Sequence, residues 1–179
     1  LQFAVTNEIN GRHCLVNGKR VVHFGSCNYL GLEQHPEVLY AAKRAIDELG
    51  MESGSPRLVS IQANVLELEG ALSQMMGSEA TLLGNNTFQL HGEAVAALFG
   101  QENCVVFVDR YAQPELQAAA EAASGRGARV VRVDVSDPPT LRRIFAREKG
   151  ERCALLVDGV YASQGHTPDF TLLDELCRE

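Results

Sequence analysis

The chain has 179 residues, 45 % of them hydrophobic and 22 % charged, a mix that suits one globular domain with a sizeable core and excludes a disordered polymer. The net charge of −7 argues against the basic stripe of a nucleic-acid surface and fits a protein that handles small molecules. The apolar runs fall short of the ~20 residues a membrane span needs, and residues 1–7 lack the basic-then-apolar opening of a leader, so a cytoplasmic protein is expected.

Along the chain, Cys14-Leu15-Val16, then Asn17-Gly18, then Arg20 to Phe24, carries a hairpin signature. His35-Pro36 opens a helix in which Val38, Leu39, Ala42, Ala45, Ile46 and Leu49 recur at helical spacing, and Gly50 ends it. Met51 to Ser60 is a Gly/Ser/Pro loop. Asn64 to Met76 is a second helix, stopped by Gly77. From there strands and helices alternate: strand Ala80–Leu83, helix Phe88–Phe99, strand Cys104–Val108, helix Glu115–Ala123 and strand Arg129–Val133. Helix Thr140–Arg147, strand Cys153–Val157 and a helix from Thr171 follow. This alternation predicts βαβ units, a mainly parallel sheet and three layers from about Asn64 onward. The organisation expected is a hairpin and arm helix over residues 1–50 and the first part of a larger domain over residues 51–179.

In such sheets ligands bind outside the carboxyl ends of strands, here Leu83 to Asn86, Val108 to Tyr111 and Val157 to Tyr161. Gly84-Asn85-Asn86-Thr87 leaves a strand and opens a helix, where free N–H groups and the helix dipole suit a phosphate; an ordinary N-cap fits the same residues. Asp158, at a strand end, is as consistent with a turn cap as with a ligand contact. Asp109-Arg110 reads as a surface ion pair, His91 as a structural helical histidine, and His166 as a loop residue with no evident partner. Arg57 carries a planar fork suited to a carboxylate, and solvent is an equal alternative. The five cysteines, Cys14, Cys27, Cys104, Cys153 and Cys177, have no metal-ligand or redox spacing and are expected as buried free thiols. No metal site is expected.

Taken in order, Asn28-Tyr29-Leu30-Gly31-Leu32 with His35-Pro36, the loop ending Arg57-Leu58-Val59-Ser60, Leu68-Glu69, Leu83 to Gly92, Val108-Asp109-Arg110, and Asp158-Gly159-Val160-Tyr161 with Gly165 and Pro168 resemble the α-oxoamine synthase family. That family includes 8-amino-7-oxononanoate synthase, 2-amino-3-ketobutyrate ligase, 5-aminolevulinate synthase and serine palmitoyltransferase. The resemblance covers nearly the whole chain and corresponds to the N-terminal half of a family member. It implies a fold-type-I pyridoxal-phosphate enzyme, usually a homodimer, that condenses an amino acid with an acyl thioester. It places Asn85, Asn86 and Thr87 at the cofactor phosphate, Gln113, Asp158 and Tyr161 in the cofactor site, and Asn28 and Arg57 near the substrate.

The departures bear on activity. Gln113 stands where the family usually has a histidine that stacks on the cofactor ring. Ala162-Ser163-Gln164-Gly165-His166 replaces Ser-Met-Asp-Gly-Asp, and the stretch after Arg57 is about one residue short. None of Lys19, Lys43 and Lys149, the three lysines of the chain, matches the family's Schiff-base lysine, which with its Asp-x-x-His is expected beyond Glu179. The chain alone is therefore expected to be inactive. A degraded relative acting as a partner or scaffold subunit, and an aminotransferase-like enzyme on the same fold, are the alternatives.

Overall fold

The computed structural model describes residues 6–10, 12–51 and 54–178. The backbone divides into two compact units, residues 1–81 and 82–179.

The first unit opens with an antiparallel meander of β1 (Thr6–Asn10), β2 (His13–Val16) and β3 (Lys19–Val22), in the order β1-β2-β3. Asn17 (φ 50°) and Gly18 (φ 75°) both lie in the left-handed region, as a two-residue hairpin turn that follows the strand twist requires. Val16 pairs with Lys19 and Leu15 with Arg20. β3 stops at Val22, short of the expected Phe24, and the His23 N–H still reaches back to the Arg12 carbonyl at 2.8 Å. Two helices follow, α1 (Pro36–Leu49) and α2 (Ala63–Met76). Pro36 sits in the first turn of α1, where its missing N–H costs no helical bond. Gly77 (φ 64°) turns the end of α2 so that the Ser78 N–H caps the Ser73 carbonyl at 3.0 Å.

The second unit is a three-layer α/β arrangement. β4 (Cys104–Asp109) lies between β5 (Arg129–Val133) and β6 (Arg152–Leu156), and both pairings are parallel. All six residues of β4 are buried, as a parallel strand covered on both faces should be. Its side chains alternate. Cys104, Val106 and Val108 join Val95, Ala119, Ala120 and Ala123 from α3 (Thr87–Phe99) and α4 (Pro114–Ser124). Val105 and Phe107 face the other way, onto Leu141, Leu173 and Leu176 from α5 (Pro138–Arg147) and α6 (Phe170–Arg178). Burying each Val or Phe stabilises the unit by about 1.5–3 kcal/mol. The alanine face of α4 lets α3 approach closely.

Two expectations need correction. Ala80–Leu83 is not a strand, because both edges of β4 are occupied and no other described strand pairs with this segment. The cysteines are all free, yet only Cys14 and Cys104 are buried; Cys27, Cys153 and Cys177 are exposed, because they fall on a loop, an edge strand and an outer helix turn. No described helix is long and apolar enough to cross a membrane.

Candidate functional site

The carboxyl ends of β4 and β6 and the first turns of α3 and α4 gather the polar groups of the second unit. Asp109 ends β4 and is almost fully buried, 1 % exposed. It is not the surface ion pair expected: its Oδ1 accepts the Val135 N–H at 3.2 Å and its Oδ2 the Tyr111 N–H at 3.3 Å. Arg110 pairs instead with Asp134 at 3.5 Å and lies over the Tyr111 ring. Two backbone donors satisfy both carboxylate oxygens inside the sheet, which explains why Asp109 is tolerated there.

The loop after β4 is fixed amide by amide. Arg110 N–H donates to the Val133 carbonyl at 2.8 Å and Ala112 N–H to the Asp109 carbonyl at 3.0 Å. Gln113, the N-cap residue of α4, donates its N–H to Asp158 Oδ2 at 3.0 Å, across 45 residues of sequence. Gln117 Nε2 closes the turn on the Asp109 carbonyl at 2.6 Å. Asp158 is thus a cap, but one supplied from another strand end. Burial raises its pKa above the usual aspartate value; the Gln113 N–H opposes this, Asp109 and Glu115 add repulsion, and His91 offsets some of it.

Tyr161 is 1 % exposed, and its hydroxyl has no hydrogen-bond partner within the chain. Burial first, and then the Asp109 carboxylate, hold its pKa far above that of an ordinary tyrosine. Its ring stacks on His166, with centroids 5.0 Å apart, and its N–H donates to the His166 carbonyl at 2.9 Å. His166, expected without a partner, therefore covers Tyr161. His91 Nδ1 and Glu115 Oε2 are likewise buried and unpaired. The sequence reading takes His91 as a structural helical histidine and does not single out Glu115. His91 lies four residues beyond Thr87, on the same helix face as the start of α3, and that spacing was the available signal.

At the start of α3, Asn86 spends its side chain as an N-cap: Oδ1 accepts the Gln89 N–H at 2.8 Å. The preceding N–H groups of the first turn have no acceptor in the helix. Asn85 and Thr87 are exposed beside them. A Cβ at Gly84 would meet the Leu90 side chain at 2.5 Å, so any larger residue there makes Leu90 shift.

The two remaining candidates lie in the first unit. Arg57 forms a bidentate pair with the buried Glu69, at 2.8 and 2.9 Å, so its fork is already occupied. Glu69 raises the arginine's pKa through that hydrogen bond. Asn28 accepts the Gly31 N–H at 3.1 Å on its carbonyl, and its Nδ2 is buried without a partner. The structure thus brings together Gln113, Asp158 and Tyr161 with Asp109, Glu115 and His91. A cavity of about 410 Å³ lies elsewhere, between α5, β6 and α6, lined by Phe107, Phe145, Leu155, Leu176, Cys153 and Cys177 among others. Among the described residues no group of acids, histidines and cysteines could hold a metal ion.

No protein-family profile matches the chain. Among curated relatives, a putative 8-amino-7-oxononanoate synthase of Desulforudis audaxviator is 32 % identical over 166 residues, 92 % of this chain and 42 % of the relative. The 8-amino-7-oxononanoate synthase of Geobacter metallireducens is 33 % identical over 172 residues, covering 94 % and 43 %. A serine palmitoyltransferase of Sphingobacterium spiritivorum is 29 % identical over 153 residues, covering 84 % and 37 %. Among solved structures, a serine palmitoyltransferase with PLP superposes with a TM-score of 0.90 at 18 % identity, over 98 % of this chain and 44 % of that one. The 8-amino-7-oxononanoate synthase of Francisella tularensis does so with a TM-score of 0.69 at 15 % identity, over 86 % and 41 %. The fold is therefore that of part of a fold-type-I pyridoxal-phosphate enzyme. The chain spans less than half the length of the relatives it matches. Over that span it is a homologue of the 8-amino-7-oxononanoate synthases and serine palmitoyltransferases.

Proposed function

We propose that this chain is the cofactor-holding part of a pyridoxal-phosphate-dependent enzyme that joins an amino acid to an acyl thioester. The observation that carries this reading is the relation to 8-amino-7-oxononanoate synthases across 92 % of the chain, a stretch that includes both strand ends of the polar cluster. The residues present fit the group. The first turn of α3 offers backbone donors with Asn85, Asn86 and Thr87 to a phosphate. The orphaned Tyr161 hydroxyl and Glu115 Oε2 are buried polar atoms that a polar ligand or water would satisfy.

When bound, the cofactor supplies the electron-accepting ring for carbanion chemistry. The chain's own contributions are binding and orientation. Asn85 and Thr87 would hold the phosphate together with the free first-turn amides of α3, and Asn86 would shape that turn through its cap to Gln89. Gln113 flanks the ring, less well than an imidazole because an amide has a smaller π surface. Asp158 and Tyr161 form the polar floor. The resemblance assigns Asn28 and Arg57 to the substrate, and the Arg57 fork becomes available to one only on leaving Glu69. Lys149, the lysine of the second unit, accompanies the amino ends of the strands, where its carbonyl accepts a bond from Arg129 at 3.4 Å. It therefore stands away from the polar cluster, and because none of Lys19, Lys43 and Lys149 matches the family's Schiff-base lysine, this reading takes the covalent amine from a lysine outside residues 1–179. The working form is a homodimer in the cytoplasm.

A second reading has its own support. Gln113 at the stacking position and the occupied fork of Arg57 fit a relative that binds a partner subunit and does not turn over substrate.

The test is to titrate the chain with pyridoxal phosphate, following binding by calorimetry and mapping borohydride-trapped adducts by peptide. Reversible binding that Thr87→Ala and Asn85→Ala weaken by about tenfold supports the cofactor site. Absence of binding at millimolar ligand, or a single stoichiometric adduct at Lys19, Lys43 or Lys149, overturns this reading.

A further inference from the structure

Every backbone amide from Arg110 to Gln113 donates a hydrogen bond, and three of the four go to β4, β5 or the loop itself. The fourth is different. Gln113 donates to Asp158 Oδ2, beyond the end of β6, and this bond ties the start of α4 to the far side of the sheet. We propose that Asp158 is a positioning residue: its carboxylate clasps the Gln113 amide and so sets where Gln113 lies against a bound cofactor, and protonation releases the clasp. The proposal deepens the cofactor reading and rests on it for the ligand.

The surroundings move the loosening of the clasp to higher pH than an ordinary aspartate would give. Asp158 faces Asp109 from β4, Glu115 from α4, His91 from α3 and the Tyr161 hydroxyl from its own loop. Burial and the two neighbouring carboxylates disfavour its ionised form, and His91 is the opposing group. Its pKa in the folded chain is therefore above the ordinary aspartate value. The sign follows. The ionised carboxylate accepts the Gln113 N–H strongly at neutral pH. As pH falls through the raised pKa, a neutral carboxyl accepts it less well, and the clasp loosens before ordinary surface aspartates are protonated. Two observations besides titration carry the idea: the 3.0 Å bond across 45 residues, and the absence of any other bond between the Gln113 amide and the fold.

The experiment uses the whole chain and two readouts. In amide NMR, the Gln113 signal should titrate with an apparent pKa above that of an unperturbed aspartate, and Asp158→Asn should abolish that titration while leaving the signal near its neutral-pH position. In parallel, affinity for pyridoxal phosphate is measured against pH for the parent, Asp158→Asn and Asp158→Ala. Asparagine keeps a carbonyl acceptor but does not titrate. The ratio of parent to Asp158→Asn affinity should therefore be flat above neutrality and fall on acidification, which cancels the ligand's own titration. Asp158→Ala should bind about tenfold more weakly at neutral pH, and Asp158→Asn should restore most of that loss. A Gln113 amide that does not follow Asp158, or an alanine variant that binds as tightly as the parent, overturns the proposal. If the parent binds no pyridoxal phosphate at any pH, the cofactor reading fails, and the Gln113 titration still decides the clasp.

Discussion

Arg57 illustrates how a residue's chemistry is readable while its partner is not. The planar fork matches a carboxylate, and a carboxylate is what it holds, but the acid is Glu69 on α2 and not a substrate. Twelve residues separate the two, and no local spacing rule links a loop residue to a helix face that distant. The pair is lopsided: the guanidinium side chain is 44 % exposed and the carboxylate side chain 10 %. Removing either partner therefore has different consequences. Arg57→Ala removes a bidentate partner from a buried carboxylate and should destabilise the chain by about 1–3 kcal/mol. Glu69→Ala leaves an arginine that water can solvate and should cost less. Urea unfolding of both variants checks this, and an equal or larger loss for Glu69→Ala would contradict the structural role assigned to the pair. His91 taught the opposite lesson. A helical histidine read as structural turns out to sit in the polar cluster, because tertiary packing brings α3 over the end of β6.

At the scale of elements, the sequence was most legible where one physical signal dominated. Asn17-Gly18 fixed a hairpin, since few residue pairs accept two positive φ angles in succession. Strand Arg129–Val133 was located to the residue, and the helices to within a residue or two, because apolar period and cap residues agree there. Ala80–Leu83 failed because a strand is defined by its neighbour, and pairing is not written in the segment itself. The α3–α4 contact rests on an alanine face of α4 that the structure reveals. Ala119, Ala120 and Ala123 are all within 1 % of full burial, which leaves no room for larger side chains. Ala120→Leu should overpack this seam at a cost of about 1–3 kcal/mol, read as a lower thermal midpoint. The same change at the exposed Ala122 should be near neutral. Equal effects at the two positions would mean that α4 does not bury the face described.

The whole molecule distributes its apolar surface unevenly. The second unit wraps a buried strand on both faces, whereas in the first unit α1 buries none of its residues. Phe24, Tyr29, Leu30, Met51 and Leu58 are each more than 80 % exposed, and Leu58 is 98 % exposed. Large apolar side chains exposed in such number mark surfaces that associate, which supports the homodimer proposed above. Charge opposes the association: at −7 per chain, two copies repel one another at low ionic strength. Salt screens that repulsion over about 8–10 Å while leaving apolar burial intact. The chain should therefore self-associate reversibly in sedimentation equilibrium, and more tightly as sodium chloride is raised from about 20 to 300 mM, a range over which the screening length shrinks several-fold. Leu30→Glu with Leu58→Glu should weaken the association at every salt concentration by placing charge on the apolar surface. A chain that stays monomeric at all salt concentrations, or one whose association weakens with salt, would show that the exposed residues of the first unit do not drive pairing of copies.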